Sequence, residues 1–341
     1  MHKPLVSVII CTYNYSHFIE EAVESVLNQT LLSDDIEIIV IDDGSTDDTV
    51  ERLKKYKDRI KYIYKDNGGP TESLNIGIEK ATGKIISLLD ADDSWHPDKL
   101  KEVVSEFKKL DSIDVVYHYI TAVDKNNKII MLEPDPKDKK APYFKKYQLD
   151  DYLKGKLCYS PPTSAVSIKT ECLKKLYPLP TEGYLLRMNA DVYIRNILPL
   201  YAREFALVKK HLSNYRIHSD NIWASGSLIK KTEREIALYK LIVGHIEKRV
   251  QVLKYSATLL KKKFLFDIAR QEILLFNLQR KPFAAFKRAV FLEEFPTDNK
   301  FLFRMFKKID TILLAILPYT RYKWLLKRYT NSFLFDLVHR L

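Results

Sequence analysis

Three carboxylates fall within four residues in Leu88-Leu89-Asp90-Ala91-Asp92-Asp93, at the end of an apolar run and just ahead of Trp95, Pro97 and Asp98. Like charges this close repel unless a cation lies among them. Hard divalent ions such as Mn²⁺ or Mg²⁺ take oxygen ligands while keeping coordination places open for phosphate oxygens. A metal–diphosphate site is the chemistry to expect; the bland alternative, a solvated acidic loop, fits poorly with the apolar strand that delivers it. A second constellation pairs Thr12-Tyr13-Asn14 with Asp42-Asp43-Gly44-Ser45, each directly behind a β-rich apolar run. A carboxylate there can accept hydrogen bonds from a base or ribose, and Tyr13 can lie against a ring face. The stretch Asp42-Asp43-Gly44-Ser45-Thr46-Asp47 fits a turn and helix cap equally well, since turns and caps select those residue types.

The elements that would position these residues follow from hydrophobic periodicity. Residues 5–11, 36–41 and 84–89 are short apolar runs bounded by turn or acidic residues and read as buried parallel strands. Helical spacing links them. It places Phe18, Ala22, Val26 and Leu27 on one face of 17–29, Val50 and Leu53 in 48–56, and Leu74, Ile78 and Ala81 in 71–81. The order βαβαβα calls for an α/β fold, a Rossmann-like, mostly parallel sheet with right-handed crossovers and flanking helices. Ligands of such sheets collect at the carboxyl ends of the strands. Residues 125–157 are polar and proline-marked and read as a loop before 165–169 returns as a strand. Beyond Asn221 strand signals stop, and 228–341 reads as helices broken near Pro282, Pro296 and Pro318. The organisation is a catalytic domain, 1–220, followed by a helical domain, 221–341.

Four segments stand in a recognisable order and spacing. They are Val6-Ser7-Val8-Ile9-Ile10-Cys11-Thr12-Tyr13-Asn14, Ile41-Asp42-Asp43-Gly44-Ser45-Thr46-Asp47, Asn67-Gly68-Gly69-Pro70 with Asn75-Ile76-Gly77, and Asp90-Ala91-Asp92-Asp93. Together they resemble family 2 glycosyltransferases of the GT-A fold, over residues 4 to about 220. The resemblance implies inverting transfer of a sugar from a nucleoside diphosphate sugar, UDP sugars favoured, to a hydroxyl of a glycan or lipid-linked saccharide in polysaccharide biosynthesis. It implies a divalent cation, Mn²⁺ or Mg²⁺, held through the DxD motif. By the same analogy Thr12, Tyr13, Asn14, Asp43, Asn75, Asp90 and Ala91 bind the nucleotide sugar, and Asp92, Asp93 and His218 hold the metal. The resemblance leaves open which of Asp92 and Asp93 ligates. Its catalytic base is an acidic residue of a Glu-Asp pair opening a later helix; the matching segment here is Met188-Asn189-Ala190-Asp191, where Ala190 replaces the Glu and Asp191 carries the role alone. Inversion needs a general base on the face of the sugar opposite the leaving diphosphate, which a carboxylate supplies. An N-terminal helix carboxylate stabilised by the dipole is the structural alternative for Asp191. Tyr215-Arg216-Ile217-His218 resembles the Tyr-Arg-x-His stretch after the last strand, in which His218 completes the metal shell or touches the diphosphate and Arg216 offsets leaving-group charge. Residues 125–157 and Tyr159-Ser160-Pro161-Pro162-Thr163 are placed on the acceptor side.

Charge separates the two parts. The whole chain carries +12, yet residues 221–341 hold 24 Lys and Arg against 10 Asp and Glu while the first 220 hold 32 against 34. The basic part interleaves cations with aromatics, as in Lys261-Lys262-Lys263-Phe264-Leu265-Phe266, Phe301-Leu302-Phe303-Arg304-Met305-Phe306-Lys307-Lys308 and Tyr322-Lys323-Trp324-Leu325-Leu326-Lys327-Arg328. That composition fits a helix lying on an anionic membrane surface; a helical domain packing on itself or forming a homodimer is the alternative. Three cysteines without CxxC spacing argue against a disulfide framework or zinc site, and the N-terminus lacks the pattern of a signal peptide. A cytoplasmic protein, peripheral on the inner face of the cell membrane and without a transmembrane helix, is expected. Metal-dependent nucleotidyltransferases share the acidic-loop architecture, but their glycine-rich basic phosphate loop is replaced here by Cys11-Thr12-Tyr13-Asn14-Tyr15. A nucleic-acid-binding protein would use the basic tail, yet no helix-turn-helix, finger or ribonucleoprotein motif accompanies it, so no nucleic acid partner is expected.

Overall fold

The computed structural model describes residues 3–133, 146–147, 161–218, 228–249 and scattered positions between 265 and 285. It divides into two units, Met1–Ala224 and Ser225–Leu341. The first unit opens with β1 (Val6–Thr12), α1 (Ile19–Leu27), β2 (Ile36–Asp42), α2 (Thr49–Leu53), β3 (Lys61–Tyr64), α3 (Pro70–Lys80) and β4 (Ile85–Asp90). It continues with β5 (Ser94–Trp95), α4 (Lys99–Lys109), β6 (Ile113–Val123), β7 (Ile129–Glu133) and β8 (Lys146–Tyr147). Then come β9 (Val166–Lys169), α5 (Thr170–Leu173), α6 (Gly183–Met188), α7 (Ala190–Ile197) and β10 (Glu204–Arg216).

One sheet takes the order β3-β2-β1-β4-β9-β6-β10-β5, with β7 added on β6 and β8 on β10. Its first four strands are parallel, the Rossmann-like half; periodicity predicts β1, β2 and β4, and β3 adds a strand at the edge that it does not. From β9 onward it is mixed: β9 runs antiparallel to both β4 and β6, while β6 and β10 are parallel to each other. The register fixes where polar residues emerge. Thr12 lies opposite Asp42 and Cys11 opposite Asp90, so three loops leave neighbouring strand ends together.

Helix α3 buries the expected Leu74 and Ile78, whereas α1 and α2 turn by about one residue from the expected face: Phe18, Leu27 and Val50 are only partly buried, and Ile19, Val23 and Thr49 are buried beside the expected Ala22, Val26 and Leu53. In α1 the inward residues are Ile19, Ala22, Val23 and Val26, an i, i+3, i+4, i+7 set that packs on Val8 and Ile10 of β1. Each such aliphatic side chain removed from water contributes about 1.5–3 kcal/mol. Helix α3 approaches β1 closely: a Cβ on Gly77 would stand 2.5 Å from Ile9 Cγ2, so only glycine allows the contact. Residues 129–133, read as part of a loop, instead form β7 and pair with β6, and 125–128 make the turn between them; the rest of that stretch, apart from Lys146 and Tyr147, lies outside the described residues.

Of the second unit, α8 (Leu228–Arg249) is a helix of 22 residues. Lys240 on it pairs with Glu272 at 2.9 Å. Among the described residues no helix is long and apolar enough to cross a membrane. The basic–aromatic segments 261–266, 301–308 and 322–328 lie outside the described residues except for Leu265.

Candidate active site

The first two loops are laced to each other. Asn14 takes a left-handed backbone (φ 55°); its amide donates to Ser45 Oγ at 2.9 Å and its Oδ1 accepts from the Thr46 amide at 2.8 Å. Asp42 makes the turn anticipated for this stretch: Oδ1 accepts the Ser45 amide at 2.8 Å and Oδ2 the Tyr62 hydroxyl at 2.7 Å. Asp43 reaches the other way. Its buried carboxylate accepts Lys65 Nζ at 2.6 Å and the amides of Gly68 and Gly69 at 2.9 and 2.8 Å. Gly44 (φ +83°) makes this possible, since a Cβ there would meet the Asn67 amide nitrogen at 2.8 Å. Thr12 is buried at the strand end, and its Oγ1 has no hydrogen-bond partner among the described residues. Tyr13 beside it is exposed. A buried hydroxyl without a partner is costly in an empty site and is suited to a ligand's polar atom.

At the end of β4 the acidic residues part company. Asp92 Oδ2 lies 2.9 Å from His218 Nε2, and the imidazole is braced by Phe18 (ring centroids 5.2 Å apart) and, edge-on, by Tyr15 (5.9 Å). Asp93 is directed into the protein: it accepts Ser164 Oγ at 2.6 Å and the Arg216 amide at 2.8 Å. Burial first, then the charges of Asp92 and Asp90, push the Asp93 carboxyl well above its usual range. Desolvation, with repulsion from Asp92 and Asp191, raises Asp90 to about 8 although Thr163 hydrogen-bonds its charged form. Asp191 is thus near enough to feel Asp90, from the first turn of α7. Asn189, ahead of it, is buried with Oδ1 lacking a partner among the described residues. Among the described residues no group of three or more His, Cys, Asp or Glu is arranged to hold a metal ion.

Other expected residues are placed differently. Both ends of the Asn75 amide are taken by the Leu179 backbone, at 2.9 and 2.8 Å. Ala91 is buried and brings no side-chain polar atom. The role given to Arg216 needs correcting: the residue is 1% exposed, and its guanidinium holds Glu21 at 2.7 Å, Asn127 Oδ1 at 2.8 Å and the Asp92 carbonyl at 2.7 Å above the Phe18 ring. It ties α1 and the β6–β7 turn to the acidic loop, and is not available to a leaving group. Ser219, Asp220 and Asn221 lie outside the described residues, as do Tyr159 and Ser160.

Ser164 is the residue that motif reading misses. Fully buried in the turn before β9, its Oγ donates to Asp93 and accepts the Asp90 amide at 3.0 Å, while its carbonyl accepts Trp95 Nε1 at 2.8 Å and Ser213 Oγ at 2.9 Å. Beneath it Lys99 is buried with Nζ 3.5 Å from the Trp95 ring centroid and 3.1 Å from Ser167 Oγ, and burial holds its ammonium well below the usual lysine range. A serine more than 70 positions from the loop it fixes leaves no local signal.

Residues 7–169 match the model of a family described as glycosyl transferase family 2. An uncharacterized glycosyltransferase of Nostoc sp. is 34% identical over 222 residues, covering 63% of this chain and 66% of that protein. One from Rickettsia prowazekii is 39% identical over 137 residues, 40% of this chain and 42% of its own length. The chain therefore spans less than two thirds of the length of these two relatives. An uncharacterized glycosyltransferase of Methanocaldococcus jannaschii is 32% identical over 222 residues, 64% of this chain and 72% of that protein. Among solved structures, S. aureus TarS 1–349 in complex with UDP-GlcNAc is similar with a TM-score of 0.62 at 19% identity, covering 93% of this chain and 91% of that one, a likeness of fold. With the four motifs lined along one sheet edge as the GT-A fold requires, the chain belongs to glycosyl transferase family 2.

Proposed function

We propose that this protein is an inverting glycosyltransferase moving a sugar from a nucleoside diphosphate sugar, a UDP sugar first among them, to a hydroxyl of a glycan or lipid-linked saccharide. One observation carries the reading: the strand register brings the unpartnered Thr12 hydroxyl, the exposed Tyr13 ring and the Asp92–His218 pair to adjacent strand ends, with Asp191 in electrostatic reach. The similar S. aureus structure is a complex with UDP-GlcNAc, which supports trying uridine donors first.

In this reading Thr12 Oγ1 and the Tyr13 face take the nucleoside, while Asp43 fixes the loop of Gly68 and Gly69 around it. The donor set fits a divalent cation such as Mn²⁺ or Mg²⁺. Asp92 offers a hard oxygen and His218 a nitrogen beside it, and two protein ligands leave places for diphosphate oxygens and water. When bound, the cation neutralises charge on the departing diphosphate. Asp93 orients the loop through Ser164 and the Arg216 amide, which supports Asp92 as the ligand in this reading. Asp191 takes the acceptor's proton as its oxygen attacks the anomeric carbon and the bond to the diphosphate oxygen breaks on the opposite face.

The test is a panel of nucleotide sugars with Mn²⁺ or Mg²⁺, scoring nucleoside diphosphate release and thermal shift. Release by the unaltered chain, lost in Asp92→Ala, is the expected result, with Asp191→Asn still shifted by the donor but unable to transfer. No release and no shift with any donor, acceptor mixtures included, would sink the proposal.

A further inference from the structure

Asp191 and Arg195 stand one turn apart on α7 and line the same cavity, together with Leu88, Tyr117, Thr163 and Ile194. The cavity measures about 20 Å³, and Thr163 connects it to Asp90 by a hydrogen bond. Its walls are mainly hydrocarbon. Arg195 is half-buried there, and no described residue offers it a hydrogen bond or an ion pair. A guanidinium against apolar walls loses hydration without recompense unless something brings it an acceptor. Among the described residues that line the cavity Arg195 is the one cationic side chain and Asp191 the one carboxylate.

We infer that Arg195 receives a negatively charged head group of the acceptor, a carboxylate or a phosphate, beside the hydroxyl that Asp191 deprotonates. The inference rests on the transferase reading for the word acceptor, though the anion site itself stands on geometry. The planar fork of arginine matches both head groups with paired hydrogen bonds. Room is consistent with that size: about 10–15 Å³ of such space holds one water, so the cavity takes one or two water-sized groups. One or two oxygens of the head group enter; the rest of it and the sugar ring stay at the mouth, which sets the hydroxyl near Asp191. Arg195 is then the residue that selects charged acceptors over neutral ones in a site whose remaining charge is negative.

Ligand-observed NMR on the full chain tests this with two matched pairs, glucuronate against glucose and glycerol 3-phosphate against glycerol. The charged member of at least one pair binds and its neutral partner does not, and whichever pair responds distinguishes carboxylate from phosphate. In Arg195→Gln that binding weakens about tenfold, the loss of one or two charge-assisted hydrogen bonds, and Arg195→Lys restores part of it. Melting curves show that both variants are folded; were Arg195→Gln unfolded, Arg195→Lys alone must still weaken binding, because lysine lacks the fork. Equal binding of charged and neutral members, anion binding undiminished in Arg195→Gln, or no binding of either anion overturns the inference. Donor release by the unaltered chain is read in parallel. Anion binding without donor release removes the transferase reading and keeps the anion site, and the reverse result removes the anion site only.

Discussion

At the level of single residues, the acidic loop depends on a side chain that no motif names. Ser164 Oγ satisfies the Asp90 amide and one oxygen of the Asp93 carboxylate together, so Ser164→Ala deprives the amide of this partner and leaves Asp93 with the Arg216 amide. The expected cost is about 1–3 kcal/mol of stability, as for other buried groups deprived of a hydrogen bond. Its effect on Mn²⁺ binding should exceed that on nucleoside binding, since Thr12 and Tyr13 lie on β1 and its loop. Titration of the variant with Mn²⁺ and separately with a nucleoside diphosphate reads the difference; equal weakening of both would mean that Ser164 acts only through general stability. Asp92, His218 and Asp191 were legible because each sits in a short segment of recognisable pattern. Ser164 was not, because its partners come from segments joined only by folding, whereas Thr163 falls in the stretch 159–163 that was placed on the acceptor side. Arg216 shows the opposite error: its pattern was visible, but the pattern carried no information about how deeply the side chain would be buried.

At the level of elements, three of the four parallel strands were legible and β3 was not, while of the mixed half only β9 was. Runs 5–11, 36–41 and 84–89 are apolar from end to end, whereas β6 is interrupted by Asp114, His118 and Thr121 although every position is buried. Asp114 is satisfied by Arg203, with Nη2 2.7 Å away, and His118 by the Tyr119 carbonyl at 2.9 Å and the Ser213 hydroxyl at 3.4 Å. Polar residues whose partners lie on other segments break hydrophobic periodicity without breaking the strand. A pH prediction follows for β6. Burial, then the charge of Lys99 and more weakly that of His211, lowers His118 to about 3, so the folded chain holds it neutral. The unfolded chain takes up the proton near pH 6.5, and stability therefore falls as pH drops from about 6.5 toward 3, by at most about 1.4 kcal/mol per pH unit from this group. Asp114, lowered by its ion pair with Arg203, loses its contribution only nearer pH 4. The histidine's share is read as a difference, because Asp90 and Asp93, raised by burial, act with the opposite sign in the same window: denaturant unfolding of the unaltered chain between about pH 6.5 and 5 should lose more stability per pH unit than that of His118→Gln, by up to about 1.4 kcal/mol. Helix α3 offers a steric counterpart: Gly77→Ala must push on Ile9, and a loss of about 1–3 kcal/mol is expected by thermal unfolding, as for other overpacked contacts.

At the level of the whole molecule, charge is distributed as though the two parts had different partners. The first 220 residues are close to neutral and carry the motifs, while 221–341 hold 24 cationic side chains against 10 anionic ones. Among the described residues no helix is long and apolar enough to cross a membrane. Lysines and arginines interleaved with aromatics bind an anionic surface through charge and insert rings at the interface, and each cation adds about 1 kcal/mol at low ionic strength. Co-sedimentation of the full chain with vesicles should therefore be strong when they contain anionic lipid, absent when they are zwitterionic, and weakened by salt as screening shortens to about 8 Å at physiological strength. Replacing Lys323, Lys327 and Arg328 by Glu should lower partitioning at least about tenfold without changing donor release, because three attractive charges become repulsive. A chain that ignores anionic vesicles and instead sediments as a dimer would show that these residues pack on a second copy. In that case the acceptor need not be lipid-linked, and the charge preference assigned to Arg195 would have to be sought among water-soluble glycans.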